Sequence, residues 1–470
     1  MLDILLINGT VITVNEENEV IQKGFVAVKD GIIEAVGSMD ELDGKMPEAA
    51  RVMDMKGHAV MPGLIDGHGH SGHCILRNLA EHLVEWDDIS GEVYNCCTDD
   101  EFWYNEGALA AAERIKFGTT TAVSMIGGAP RSDYVEMVDA AMAGASITGL
   151  KQFIGTGAPS FKLSPTKRYH KDGTIEDIDA TPQLSVKVTE EAVKTLNGKY
   201  ERIKCIPAPG RMGKRPGIDD ETNIWLNREM HRISVENNLP LHTHAYAGDV
   251  KFMHETSPEV LRPQLSLTHS TGYSEEEMEI LKDTGAYVFH GPTTYTNALG
   301  HCKVIEMLEM GINLAVVTDG TAPDRSFDLW RDMKNVQLLQ RFRKRDGGLL
   351  PCGTVLRLVT MEPAKALGID HETGSLEAGK KADIITVNVM QPHLAPFGIM
   401  PIQRLVYHAM GQDVDNVIID GEIVMENRVL TRVDEMEILE NAEKSSQLML
   451  ERLGKPYAAE NERLYDTRMY

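Results

Sequence analysis

Short apolar runs set the rhythm of this chain, and that rhythm changes twice. Over the first sixty residues apolar and polar positions alternate. LLINGTVITV closes on a polar NEENE turn, GFVAVKDGIIEAVG carries an Asp-Gly turn between two alternating runs, and RVMDMKGHAVMPG follows. Period-two alternation bounded by Gly and Asp predicts strands. From about residue 62 the runs become brief and almost wholly apolar: TTTAVSM (119–125), GLKQFIGTG (149–157), RIKCIPAPG (202–210), LPLHTHA (239–245), QLSLTHS (264–270), GAYVFHGP (285–292) and INLAVVTDG (312–320). Helical stretches such as EFWYNEGALAAAERIKFG, TNIWLNREMHRISVENN and SEEEMEILKDTG lie between them. Strands covered on both faces read as continuous apolar runs, so this alternation predicts a parallel (β/α)8 barrel.

After about residue 374 the strand rhythm returns in GSLEAGKKADIITVN and DVDNVIIDGEIVMENRVLT, the second with another Asp-Gly turn. Its beat echoes the opening NGTVITV. The expected fold class is therefore α/β: a TIM-like (β/α)8 barrel with a flanking β-sandwich made from both chain ends. The expected boundaries are 1–61 and 374–432 for the two parts of the sandwich, 62–373 for the barrel, and 433–470 for a polar C-terminal helix and tail. Such a tail can reach a second subunit, and a homodimer or higher homo-oligomer is expected.

Charge and cysteine usage narrow the partners. The 470 residues carry a formal net charge of −24, and the densest basic stretch, RFRKRDGG at 341–348, is short and sits in a helical pattern. A polyanion demands basic patches, so no nucleic-acid partner is expected. No stretch approaches the roughly 20 apolar residues of a membrane helix, and the N-terminus lacks the basic and apolar regions of a signal peptide. Six cysteines without CxxC spacing, two of them adjacent at Cys96 and Cys97, make no disulfide framework. A cytoplasmic protein with a small-molecule substrate is the expectation. A chain this long needs no metal to staple its core, so a metal site would be free to serve chemistry.

Candidate chemistry begins at His68 and His70, in PGLIDGHGH at 62–70. Residues i and i+2 of a strand face the same way, so both imidazoles can reach one ion. His244, His269 and Asp319 each close a later apolar run, on the face where barrel enzymes place their chemistry. His242 has the same spacing to His244, and by spacing alone either could be the ligand.

PGLIDGHGH resembles the metal-binding signature of the amidohydrolase superfamily. LTHSTGYSEEEMEILKDTGAYVFHGPTT, MLEMGINLAVVTDG and the closing MEPAKALGID with GSLEAGKKADIITVN are similar to its cytosine-deaminase-like and triazine-hydrolase-like branch. The resemblance implies one divalent metal, zinc or alternatively iron, held by His68, His70, His244 and Asp319. It further implies that Asp319 takes a proton from a metal-activated water and passes it to the leaving amine, while His269 hydrogen-bonds the water or the polarised substrate atom. His73, Trp86 in the first long loop, Arg211 after PAPG and His290 are the candidate substrate contacts.

One position departs from the branch. Its ring-deaminating members usually carry a Glu three residues after the fifth-strand metal His, where it protonates a ring nitrogen; here Ala247 stands there, with Asp249 and Glu255 the nearest acids downstream. Lys204 lies inside its run rather than at the end, which argues against a two-metal site. The expected activity is hydrolysis of a C–N bond in a small nitrogen-rich heterocycle. The alternatives are a cyclic amide or a non-amine leaving group, such as a halide, and a non-catalytic barrel.

Overall fold

The structure is a computed structural model. It describes residues 1–454 apart from 78, 80–82, 128–130, 160–165, 295–296, 298–299 and 397, and apart from the side chains of 83–85, 87 and 88. The expected tail after the C-terminal helix lies outside the described residues.

Eight parallel strands carry the centre of the molecule. Leu64–Asp66, continued by His70–Ser71, pairs with Thr119–Ile126, which pairs with Lys151–Thr156 and then Ile203–Pro207. A second arc runs Leu241–Ala245, Leu265–His269, Tyr287–His290 and Leu314–Val316. All eight positions of Thr119–Ile126 and all five of Leu241–Ala245 are buried, as expected for strands with helices outside and packed side chains within. A parallel bridge between Gly69 and Asp319 joins the last strand to the first, with the Asp319 amide donating to the His68 carbonyl at 3.1 Å. Among the described residues no hydrogen-bonded ladder joins Ile203–Pro207 to Leu241–Ala245. The arcs meet there through the Met212 amide on the His244 carbonyl at 3.3 Å and the Thr243 hydroxyl on the Pro209 carbonyl at 2.8 Å.

Helices punctuate the strands where the sequence offers caps. Asp99 receives the Phe102 amide at the start of Asp100–Lys116. Ser274 and Glu277 cap Glu275–Thr284 reciprocally, and Gly285, at φ 72°, ends it.

Both chain ends feed one sheet. Ile384–Asn388 lies antiparallel to His58–Pro62, which lies parallel to Leu2–Ile12. The result is one continuous nine-stranded sheet. Ile4, Leu6, Val26, Val28, Val60, Ile384 and Ile418 bring one face of it to a core of its own. Period-two alternation at both termini is what allows residues hundreds of positions apart to share that face.

Two local features differ from the expectations. A hairpin, Thr166–Tyr169 with Ile175–Ile178, stands in a stretch that shows no apolar alternation. Trp86 lies in the helix Leu83–Cys96 rather than in a loop. The helix Glu435–Leu453 docks on Asp100–Lys116, with Asn105 donating to the Ser445 hydroxyl at 2.9 Å. All six cysteines are free thiols, and among the described residues no helix is long and apolar enough to cross a membrane.

Candidate active site

The first barrel strand breaks after Asp66 and resumes at His70, and this break carries His68 and His70 to the C-terminal mouth. Gly69 sits between them because a Cβ would collide with the Arg114 guanidinium and the Asp319 carbonyl. His68 Nε2 and His70 Nε2 stand 3.2 and 3.1 Å from the same oxygen, Oδ1 of Asp319. His244 Nε2 is 3.3 Å from His70 Nε2. His269 lies parallel to His244, with ring centroids 5.0 Å apart. The ligand atoms of His68, His70 and His244 lie within 4.8 Å of one another, as do those of His68, His269 and Asp319. Five side chains from four strand ends thus converge.

The donor set fits a cation. A carbonyl only accepts, so His70 Nδ1–H must donate to Gly127 O at 2.7 Å and His244 Nδ1–H to Gly210 O, which leaves both Nε2 lone pairs facing the cluster. Burial drives His68 and His244 well below the usual imidazole range, and His269 to about 4. Neutral imidazoles are what a metal requires. Burial alone would raise Asp319, but Arg325 at 3.6 Å and the adjoining imidazoles outweigh it and hold the carboxyl well below its ordinary range. Both Asp319 (φ 70°) and His269 (φ 74°) adopt the left-handed backbone region, which costs non-glycine residues about 1–3 kcal/mol and persists where packing over-determines it.

His242 does not face the cluster beside His244. Its Nε2 meets His68 Nδ1 at 2.7 Å, and its Nδ1 meets the Ser266 hydroxyl at 2.6 Å, so it holds His68 from behind. His73 stacks on His70 at 4.6 Å and meets the edge of buried Trp86 at 5.0 Å. Both of its ring nitrogens have no hydrogen-bond partner among the described residues. Gly320 makes room for it, since a Cβ there would strike the His73 ring. His290 ends its strand buried, with Nδ1 unpartnered and burial lowering its imidazole to about 3. Arg211 is taken up internally: its Nε and Nη2 grip both carboxylate oxygens of Asp249 at 2.8 and 2.9 Å. Asp249 also receives the Tyr246 and Lys214 amides, so it is a brace for the loops beside His244 and not an acid standing in at Ala247.

Three supports escaped the sequence reading. Buried Glu106 receives the Cys74 and Ile75 amides at 3.0 and 2.8 Å and so ties down the loop after His70. Asp66 receives the Thr318 amide and hydroxyl at 3.1 and 2.6 Å and thereby fixes the backbone that presents Asp319. Arg325 sets the charge of Asp319. Only the Asp in LIDGHGH stood near a recognisable motif; Glu106 lies within the helix Asp100–Lys116 and Arg325 in the loop PDRSF.

Residues 59–424 match the amidohydrolase family. A 5-methylthioadenosine/S-adenosylhomocysteine deaminase of Acetivibrio thermocellus is 31% identical, over 96% of this chain and 100% of its own length. A 5'-deoxyadenosine deaminase of Methanosarcina mazei is 29% identical, over 97% and 100%. Among solved structures, a zinc-bound adenosine deaminase from Xanthomonas campestris superposes with a TM-score of 0.80 at 22% identity, covering 96% of this chain and 99% of that one. An atrazine chlorohydrolase from Arthrobacter aurescens, complexed with zinc and atraton, gives 0.76 at 19%, covering 94% and 100%. The clustered imidazoles and Asp319 at these strand ends and the near full-length match agree: the chain belongs to the amidohydrolase family and is a hydrolase acting on carbon–nitrogen bonds.

Proposed function

We propose that the protein is a mononuclear, zinc-dependent aminohydrolase that releases ammonia from a small amino-substituted heterocycle, with nucleoside-like compounds the first candidates. The observation that carries this reading is the convergence of neutral imidazoles on one ionised, buried aspartate. His68, His70, His244 and Asp319 would hold the ion, on eight strands read as a closed (β/α)8 barrel flanked by a β-sandwich. A divalent ion there supplies an acidified water and polarises the bond to be cleaved. Asp319 takes the proton of the attacking water and returns it to the leaving nitrogen. His269, stacked between His244 and Tyr246, hydrogen-bonds the oxygen on which charge develops. His73 and His290 face the substrate, and Trp86 fixes the orientation of His73. The adenosine-type deaminases among the relatives support the substrate class. A homo-oligomer remains part of the proposal, and light scattering on the purified protein checks it.

A second reading has an observation of its own. Ala247 can neither donate nor accept a proton, which favours substrates whose leaving group needs no ring protonation, such as a cyclic amide or a halide. Ammonia release should be screened over purines, pyrimidines, triazines and cyclic amides, with bound metal measured in parallel. Full activity in chelated, metal-free protein would sink the first reading. A gain of aminopyrimidine deamination in Ala247→Glu would favour the second.

A further inference from the structure

The eight strands meet between the last and the first, and the candidate ligands are split across that seam. His68 and His70 stand on one side and Asp319 on the other. Among the described residues no ladder joins Leu314–Val316 to Leu64–Asp66, and the backbone pairing at the seam is the single bridge of Gly69 and Asp319. The buried Asp66 carboxylate supplies what a ladder would. Its Oδ1 accepts the Thr318 amide at 3.1 Å and its Oδ2 the Thr318 hydroxyl at 2.6 Å, and the His68 amide favours the same negative charge. One carboxylate thus holds the residue before Asp319 while it stands two residues before His68.

Arg114 stands behind that carboxylate. It comes from the helix Asp100–Lys116, is wholly buried, and sets its Nε 3.6 Å from Asp66 Oδ2, an ionic contact longer than a hydrogen bond. Its Nη1 donates to the Ser124 hydroxyl at 2.7 Å and its Nη2 to the Val123 carbonyl at 3.4 Å, both on the strand Thr119–Ile126. The guanidinium lies 3.7 Å from the centre of the Phe327 ring, in the loop after the last strand. The same Nη2 fills the space that a Cβ at Gly69 would need, so the break in the first strand is shaped around this side chain. Three segments therefore meet at one guanidinium. A buried ion pair adds little stability over an apolar pair of equal volume, but removing one partner leaves the other's charge uncompensated. Here the pair gives the Asp66 carboxylate a fixed place where ladder bonds do not fix the backbone.

We propose that Arg114 and Asp66 act as one positioning pair that sets the spacing of His68 and Asp319 across the seam, so that metal affinity depends on the two charges being matched. The proposal rests on the metal reading of the site, and its test reads metal binding without any substrate. Competition with a chelator gives the zinc affinity, and the absorption spectrum of the cobalt-loaded protein reports the geometry of the ligands. Arg114→Met and Asp66→Asn should each weaken zinc about 10–100-fold and change the cobalt spectrum, as expected for groups that orient ligands. In the double variant no charge is left unmatched, and the new amide still accepts the Thr318 N–H. Zinc affinity there should return to within about threefold of the wild type, a recovery that a merely structural role would not give. Should Arg114→Met fail to fold, Asp66→Asn and the double variant carry the same comparison. Single variants that melt lower with zinc affinity and cobalt spectrum unchanged overturn the proposal, as does a double variant whose loss is the product of the two single losses. Wild-type protein that binds neither zinc nor cobalt sinks the metal reading and the pair's role with it. Tight zinc in the wild type with unaltered affinity in both single variants sinks the pair alone.

Discussion

The protein holds two His-x-His pairs at strand ends, His68 with His70 and His242 with His244, and puts them to different uses. Both imidazoles of the first pair reach Asp319 Oδ1. Of the second pair, only His244 faces the cluster, and His242 supports His68 from behind. The second pair lies wholly within a regular strand, Leu241–Ala245, where two residues span roughly 6.6 Å of depth. His242 is therefore a full layer below the mouth. The first pair straddles the break between Leu64–Asp66 and His70–Ser71, and both rings reach the same oxygen of Asp319. Equal spacing thus brings both imidazoles to one carboxylate oxygen only where the strand is interrupted.

The loops behind the pairs differ in a related way. Glu106 secures the residues after His70, and Asp249 those after His244. Burial pushes both carboxyls up, but Arg211 offsets this at Asp249, whereas Glu106, with only backbone amides and distant Arg77 to favour its charge, reaches about 7.

These contrasts can be broken in order of expected effect. His244→Ala should abolish stoichiometric metal and lower ammonia release by roughly a thousandfold or more, since it removes a ligand to the group that polarises the reaction; metal analysis and kinetics on one preparation check it. Zinc should also stabilise the wild type by about 2.7 kcal/mol at a hundredfold excess over its Kd and leave His244→Ala unmoved, as read by thermal melting. At the first pair's loop, the sign is set by Glu106. Its folded value of about 7 lies above the ordinary 4.5, so its stability contribution is full below about pH 4.5 and is lost as pH rises through about 7. Relative to Glu106→Gln, the wild type should lose on the order of 3 kcal/mol between pH 5 and 8, and equal pH slopes would refute the assignment. His242→Phe should cost only about 10–100-fold in metal affinity or activity, as for a group that orients a ligand; a loss as deep as that of His244→Ala would erase the distinction between the pairs. Ser266→Ala, at the end of that chain of contacts, should cost about 1–3 kcal/mol of stability through an unsatisfied His242 Nδ1–H, with activity altered least of all.

Much of the architecture was legible because its signals are local. The apolar runs ending in His244, His269 and Asp319 coincide with strands Leu241–Ala245, Leu265–His269 and, just short of Asp319, Leu314–Val316. The hairpin at Thr166–Ile178 was not legible, since its strands TKRY and IEDI are mostly charged and half-buried or exposed, with no apolar face to mark them. Arg211 was expected to meet substrate, and its pairing with Asp249 was hidden by a separation of 38 residues.

By itself, then, the sequence determined the strand–helix alternation, the strand-end placement of the imidazoles and Asp319, and the departure at Ala247, because side-chain period and run length are properties of neighbouring residues. Tertiary structure alone decided depth and partnership. It chose His244 over His242 by placing the latter against His68, 174 residues away. Such outcomes depend on distances between segments that the chain brings together only on folding, and on which charges are satisfied once water has been excluded.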